Sequence, residues 1–364
     1  MTAKRQPKHQ ILGGELRRQL LQMAPGDSFL TMKEIMGTFA VSQATVTKAL
    51  ESLYDEKLLC VNRGPGGAFV TEEVLRYKKG APPTICLAIP RWNSGVNMLL
   101  ENKFMDLSER FKYRPEIVPF KTDVEWQDAM DRLRGDAILV IPQGDVPSQK
   151  NYEEMKASGK PFAVFGFNLP GINSVWADPR HCGLLAAKHL ADLGHQHIAV
   201  FLSEPKLPVI LERATGFTDY AALNGIRSEV IDCGIKPGDF AVENVHATTK
   251  GLLAAGRPPF TGIFVTSAQP ALGVMNAIHE AGLRIPEDIS VISCIGDDYC
   301  RFYSPALTLV NEDFDHEMES VIKLLMRNLK SGADASPENI RFTSNLIHGK
   351  STGPAPRPEK QRAP

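Results

Sequence analysis

From residue 84 onward, short and nearly continuous apolar runs alternate with longer stretches whose apolar positions recur every three or four residues. The apolar runs at 85–89, 116–120, 137–141, 162–165, 197–202, 262–266 and 289–294 predict strands. The periodic stretches at 97–111, 124–133, 152–158, 183–193, 211–224, 271–281 and 314–329 predict helices between them. Strand alternating with helix predicts parallel sheets covered by helices on both faces. Runs such as Ala137-Ile-Leu-Val-Ile141 fit strands buried on both sides. A segment of this length predicts two lobes, each with its own doubly wound sheet. Ligands bind such sheets at the carboxyl ends of the strands, which in two facing lobes places the site in the cleft.

The first 83 residues follow another pattern. A helix over 10–23 carries Ile11, Leu12, Leu16, Leu20 and Leu21 on its apolar side, and Ala24-Pro-Gly-Asp27 ends it. Residues 31–54 predict two short helices with a tight turn between them. Thr31 can cap the first, with Glu34 as its capping-box partner, and Ile35 and Phe39 share a face. Gly37-Thr-Phe-Ala-Val41 breaks the period. Ser42 then caps a second helix that places Val46, Leu50 and Leu53 on one face and Gln43, Thr45, Thr47 and Lys48 on the other. Aliphatics behind and short hydrogen-bonding groups in front suit a DNA major groove. An ordinary amphipathic helix pair is the plain structural alternative. Two β-rich runs, 57–63 and 68–71, flank Gly64-Pro-Gly-Gly67 and predict a hairpin, completing a winged helix-turn-helix. Residues 72–84 are polar and basic and close on Gly80-Ala-Pro-Pro83, the composition of a linker.

Composition sharpens this division. The 364 residues suit two or three domains, and a hydrophobic content of 43% suffices for sizeable cores. No apolar run approaches the roughly 18 to 20 residues that span a membrane. The opening MTAKRQPKHQ lacks a signal-peptide core, so a cytoplasmic location is expected, with no membrane partner. Six scattered cysteines without a CxxC pair predict reduced thiols and exclude a zinc ribbon. The net charge of −1 is split: residues 1–80 hold 12 Lys+Arg against 8 Asp+Glu, and the remainder 29 against 34. The excess of cations at the front favours a nucleic-acid partner for that segment alone. No GxSxG, GxxxxGK[ST], HExxH or GxGxxG in strand–helix context occurs, so no enzyme, catalytic residue, cofactor or metal is expected.

Residues 8–70 resemble the DNA-binding domain of the GntR family. The matching pieces are Ala24-Pro-Gly-Asp27, Met32-Lys-Glu-Ile35, Val41-Ser-Gln-Ala-Thr-Val46, Lys48-Ala-Leu50, Leu53, Leu58 and Gly64-Pro-Gly-Gly-Ala-Phe-Val70. The resemblance implies DNA contacts from Thr31, Lys33, Ser42, Gln43, Thr45, Thr47 and Lys48, and from Arg63 and Gly66 on the wing. Lys33 stands where the family usually has Arg, and Gln43 where it usually has Arg after the Ser. Lysine lacks the bidentate fork that reads guanine, and Gln favours adenine, so an unusual operator is expected.

The later part resembles the LacI/GalR ligand domain. The resemblance is carried by Val175-Trp-Ala-Asp178, Gly183, Ala187, His189-Leu190, Gly194-His195, Ile198-Ala199 and Arg213-Ala-Thr-Gly-Phe217. Gly282-Leu-Arg-Ile-Pro-Glu-Asp-Ile-Ser-Val291, Ser304-Pro-Ala-Leu-Thr-Leu-Val310 and Ser351-Thr-Gly353 extend it. It implies the fold of periplasmic sugar-binding proteins, explains His189 and His195 as fold residues rather than metal ligands, and, together with the GntR-like head, implies the arrangement of arabinose-type repressors. Its polyol-gripping pattern is mostly missing. Ser267-Ala268 replaces Asn-Asp, and the paired aspartates fall on Ile295-Gly296, with Asp297-Asp298 two residues late. Ligand-site candidates are Arg91, Trp92, Asn168, Arg213, Ser267 and Asp297. Trp92 is a stacking platform or a hinge residue, and Arg213 a ligand grip or an ion-pair partner.

The expected domains are a head at 8–75, a linker at 76–83, a ligand domain at 84–352 and a disordered tail at 353–364. The expected function is a DNA-binding transcriptional repressor that acts as a homodimer on a double-stranded operator. A small effector between the lobes, a sugar or sugar derivative, would control it. The alternatives are a non-regulatory binding protein of the same fold and a regulator whose sensor has lost its ligand.

Overall fold

The protein is described here from a computed structural model, which places residues 8–61, 67–74, 82–91, 94–121, 123–143, 147–331 and 336–356. Three helices and a strand pair form the head: α1 (Lys8–Leu20), α2 (Met32–Phe39), α3 (Gln43–Asp55), β1 (Leu59–Val61) and β2 (Ala68–Val70). The first helix stops three residues earlier than its periodicity predicts. The Gln22 and Met23 amides bond to carbonyls only three residues back, tightening the chain ahead of Pro25. Strands β1 and β2 pair antiparallel, Cys60 opposite Phe69. Leu16, Leu20, Ile35, Val46, Leu53, Leu58 and Val70 are buried together as the head's core. That core draws on each helix and both strands, so none of them keeps its apolar face dry alone.

Two six-stranded sheets follow. The first lobe is built on β3 (Thr84–Pro90), β4 (Arg114–Phe120), β5 (Ala137–Val140), β6 (Phe162–Phe165), β7 (Asn173–Ala177) and β13 (Asn339–Phe342), in the order β13-β7-β6-β5-β3-β4. The second is built on β8 (His197–Leu202), β9 (Arg227–Asp232), β10 (Gly262–Val265), β11 (Ser290–Cys294), β12 (Thr308–Asn311) and β14 (Asn345–Ile347), in the order β14-β12-β11-β10-β8-β9. All pairings are parallel except β12 with β14. The helices of the first lobe are α4 (Gly95–Phe111), α5 (Asp123–Arg132), α6 (Gln149–Ala157) and α11 (Phe314–Ser331). Those of the second are α7 (Pro179–Asp192), α8 (Pro208–Leu223), α9 (Ala241–Ala254) and α10 (Ala268–Glu280). The central strands β3, β5, β6, β8, β10 and β11 are buried almost throughout, as two-sided cover requires.

The chain crosses between lobes three times: at Asp178 between β7 and α7, at Glu312–Asp313 between β12 and α11, and at Thr343–Ser344 between β13 and β14. Helices α7 and α8 pack without room for a side chain at their contact. A Cβ on Gly183 would lie 1.8 Å from the Arg213 carbonyl oxygen, and one on Gly216 would lie 1.9 Å from that of Arg180.

The expected disorder from residue 353 is corrected for 353–356. The Gly353 carbonyl accepts from His195 Nε2 at 3.2 Å and the Ala355 amide donates to Leu193 O at 2.9 Å, so this segment is held on the second lobe. Residues 357–364 and most of the expected linker lie outside the described residues.

Candidate functional site

On the head, Thr31 and Glu34 form the expected capping box: the Glu34 amide donates to Thr31 Oγ1 at 3.3 Å and the Thr31 amide to Glu34 Oε2 at 2.7 Å. Ser42 caps α3 by accepting from the Thr45 amide, and its hydroxyl lies 2.9 Å from Thr45 Oγ1. The Thr47 hydroxyl donates to the Gln43 carbonyl at 3.1 Å. Val46, Ala49, Leu50 and Leu53 are buried on the back of α3, while Gln43, Thr47 and Lys48 are exposed on the front and Thr45 is half-buried. Lys33 is exposed on α2. Arg63 and Gly66 lie outside the described residues.

Between the lobes lies a cleft of about 340 Å³. Its first-lobe wall is the start of α4, where Ser94 caps the helix through the Asn97 amide. Its second-lobe wall comes from the start of α10, the loop after β8, the loop before α9 and the turn after β11. The two helix starts approach closely: a Cβ on Gly95 would lie 3.8 Å from Gln269 Oε1. Most of the lining is apolar, including Met98, Leu99, Pro205, Phe240 and Leu272.

Of the six expected ligand residues, Ser267 and Asp297 line this cleft. Arg91 and Asn168 are exposed and do not line it. Trp92 lies outside the described residues. Arg213 is 6% exposed and sits behind the wall, where its Nη1 donates to the Thr266 carbonyl at 3.0 Å and its Nε has no hydrogen-bond partner among the described residues. Burial opposes the Arg213 charge, yet its neighbours Cys294, Cys182, Glu312 and Glu204 hold the guanidinium above its ordinary range. The hydrogen bond with Cys294, then burial, push the Cys182 thiol well up and keep it neutral. The carboxylates are therefore the real counter-charges.

Glu204 and Glu312, both half-buried, were not predicted from sequence. Glu204 lines the cleft and bonds the Ser267 hydroxyl. Burial pushes its carboxyl up, against the pull of Ser267 and Arg213. Burial likewise raises Glu312, opposed by Arg213. The paired aspartates expected of the resemblance are absent in space as well as in sequence. Ile295 is buried with a φ of 53°, and the Gly296 backbone exchanges hydrogen bonds with the Asn311 side chain at 3.1 and 3.2 Å. Asp297 instead caps the 3₁₀ turn Asp298–Phe302 through the Tyr299 amide at 3.0 Å.

The histidines serve the fold. His195 lies within 2.7 Å of Thr261 Oγ1 and 3.2 Å of Ser290 Oγ, and His189 lies 2.9 Å from Thr352 Oγ1. Burial pushes His195 down to about 4, so it stays neutral. Among the described residues no group of three or more His, Cys, Asp or Glu could hold a metal ion, and no helix is long and apolar enough to cross a membrane.

A family profile for a periplasmic binding protein-like domain matches residues 187–352. The HTH-type transcriptional repressor PurR of Mannheimia succiniciproducens is 32% identical over 169 residues, 46% of this chain and 49% of that protein. The HTH-type transcriptional regulator AscG of Escherichia coli is 29% identical over 219 residues, 59% and 63% of the two chains. The chain thus spans about half to three-fifths of the length of these curated relatives. Among solved structures, a LacI transcriptional regulator from a Rhodococcus species aligns with a TM-score of 0.64 at 20% identity, over 75% of this chain and all of that one. A dimeric Lac repressor aligns with a TM-score of 0.65 at 22% identity, covering 74% and 99%. These comparisons establish that the later part of the chain has the two-lobed, periplasmic-binding-protein-like fold of LacI-type ligand domains. Neither the relatives' names nor the LacI titles of the solved neighbours carry the GntR resemblance of the head.

Proposed function

We propose that the protein is a DNA-binding transcriptional repressor whose grip on its operator is set by a small molecule held between two lobes. The observation that carries this reading is the joining, in one chain, of α3 to the two-lobed receptor. Helix α3 hides four aliphatic or small side chains and shows Gln43, Thr47 and Lys48 to solvent, and the receptor behind it has an open cleft. The antiparallel β1–β2 pair beside α3 supports a GntR-type winged head over other helix-turn-helix forms. In this reading Gln43 and Thr45 meet base edges, Lys33 and Lys48 meet phosphates, and Thr31 and Ser42 hold the helix starts that point at the backbone.

A homodimer on a two-fold operator follows from the same reading. The solved neighbours include a lac repressor described as dimeric. Effector binding would change the lobe angle through the three crossovers and so change the spacing of two heads, to the extent that the ligand binds one state better. One neighbour, a regulator from Enterococcus faecium, holds ribose. The cleft of this chain lacks the paired aspartates, so a small molecule other than an ordinary neutral sugar is favoured.

Capture of genomic fragments on the full-length protein, followed by gel-shift titration in rising salt, tests the proposal. Selective retention of a few fragments, with affinity that falls as salt rises, supports it. Uniform retention, or none, refutes it.

A further inference from the structure

The cleft's charge pattern bears on what enters it. A second cavity of about 350 Å³ adjoins the first and shares Leu99, Gly296, Asp297 and Cys300 with it. This outer cavity is acidic: its lining holds five carboxylates, three of them from the Glu312–Asp315 crossover, against the two cations Lys103 and Arg301. Lys103 is already paired with Asp315. The inner cleft is mostly apolar; of the carboxylates on its second-lobe wall, Glu204 is half-buried, whereas Asp239 and Asp297 are exposed and each accepts from a backbone amide.

An anionic ligand is poorly matched here: the inner lining offers one cation, the exposed Lys236, against the three carboxylates Glu204, Asp239 and Asp297. The cation expected to receive one, Arg213, lies behind the wall, bonded to the Thr266 carbonyl and flanked by Glu204 and Glu312. The positive end of α10 is likewise answered from within, because Glu204 bonds Ser267, the residue that starts the helix. A polyol fares little better, since several hydroxyls would be buried against apolar walls with too few partners. An acidic mouth focuses cations, an apolar interior takes a hydrocarbon body, and a half-buried carboxylate is a strong acceptor for an N–H donor.

Resting on the effector-binding reading above, we propose that this cleft takes a small molecule with an apolar body and a protonated amine, and that Glu204 is the residue that selects the amine. The outer acidic cavity attracts the cation and Glu204 accepts its hydrogen bond, while Met98, Leu99 and Phe240 cover the body.

The test uses the full-length protein and a matched set of probes: 2-phenylethylamine, 2-phenylethanol, phenylacetate and D-ribose, compared at one concentration by thermal melting and calorimetry. The amine raises the melting temperature most and phenylacetate does not raise it. Glu204→Gln weakens the amine by about tenfold or more and leaves the alcohol nearly unchanged, as loss of one charge-assisted contact requires. Glu204→Asp, which keeps the charge, retains the preference for the amine. A shift by phenylacetate or ribose without one by the amine overturns the proposal. So does an amine shift that Glu204→Gln leaves intact, and so does silence from all four probes. Fragment capture reads the regulator proposal separately: DNA binding without amine binding sinks only the amine assignment, and amine binding without DNA binding sinks only the regulator reading.

Discussion

Glu317 offers the sharpest physical test of the crossover. It lies in the first turn of α11 with its side chain 0% exposed, and neither carboxylate oxygen has a hydrogen-bond partner among the described residues. Burial, with help from the nearby carboxylates Glu312 and Asp313, pushes its carboxyl from the ordinary 4.5 up to about 8. An acid raised in the folded state keeps a proton that the unfolded chain releases. Its contribution to stability is therefore complete below pH 4.5, is lost progressively as pH rises, and stops changing above about 8. At about 1.4 kcal/mol per pH unit, the loss by pH 7 is roughly 3 kcal/mol. Glu317→Gln removes the titration while keeping the shape. Urea unfolding of the two proteins from pH 5 to pH 9 should show the variant gaining on the wild type by roughly 3 kcal/mol between pH 5 and 8, and no further above that. The buried amide adds a constant offset, so the pH slope of the difference is the readout. Parallel curves across that range would refute the argument that an unpaired carboxyl is held neutral at the crossover.

Other expectations follow from the same geometry. Gly183→Ala forces a methyl against the Arg213 carbonyl and should cost about 3 kcal/mol or more, seen as a lower melting temperature, whereas Gly251→Ala, with nothing within 4 Å, should not lower it. His195, held down to about 4, makes the fold lose stability as pH falls from 6.5 toward 4, by roughly 3 kcal/mol in all; His195→Gln should abolish that slope in acid unfolding curves. On a captured operator, Lys48→Ala should weaken binding across sequences and reduce the salt slope by about 1, while Gln43→Ala should cost about 1–3 kcal/mol and relax the preference at one base position.

Most strands legible in sequence are covered on both sides, although the edge strand β4 was legible too and the interior strands β7 and β12 were not. Ile85–Ile89 and Ala137–Val140 are continuous apolar runs because helices lie above and below them. Strands β9, β13 and β14 stand at sheet edges, where half of each strand meets water, and Arg227-Ser-Glu-Val-Ile-Asp232 accordingly reads as mixed. Helix α9 was missed because its buried positions are Val245 and Thr249, too thin an apolar stripe to show a helical period. The head's caps were legible because Thr31–Glu34 and Ser42–Thr45 are local pairs. The cleft was legible only as a place. Glu204, Glu312 and Glu317 are single acids without a local pattern, and their meaning comes from burial near Arg213 or beside one another, which only the packed lobes create. Arg91 and Asn168 show the converse, since adjacency to a strand end did not place them on the cleft.

The central claim is that the two lobes govern the head. Gly95 and Gln269 face each other across the cleft, so cysteines at both positions, in a Cys60→Ser background, can be joined by a short bis-maleimide. Operator affinity of the full-length protein is then measured before and after joining. A coupled receptor predicts a change of about 5-fold or more when the lobe angle is fixed. An operator affinity unchanged by the cross-link would contradict the account.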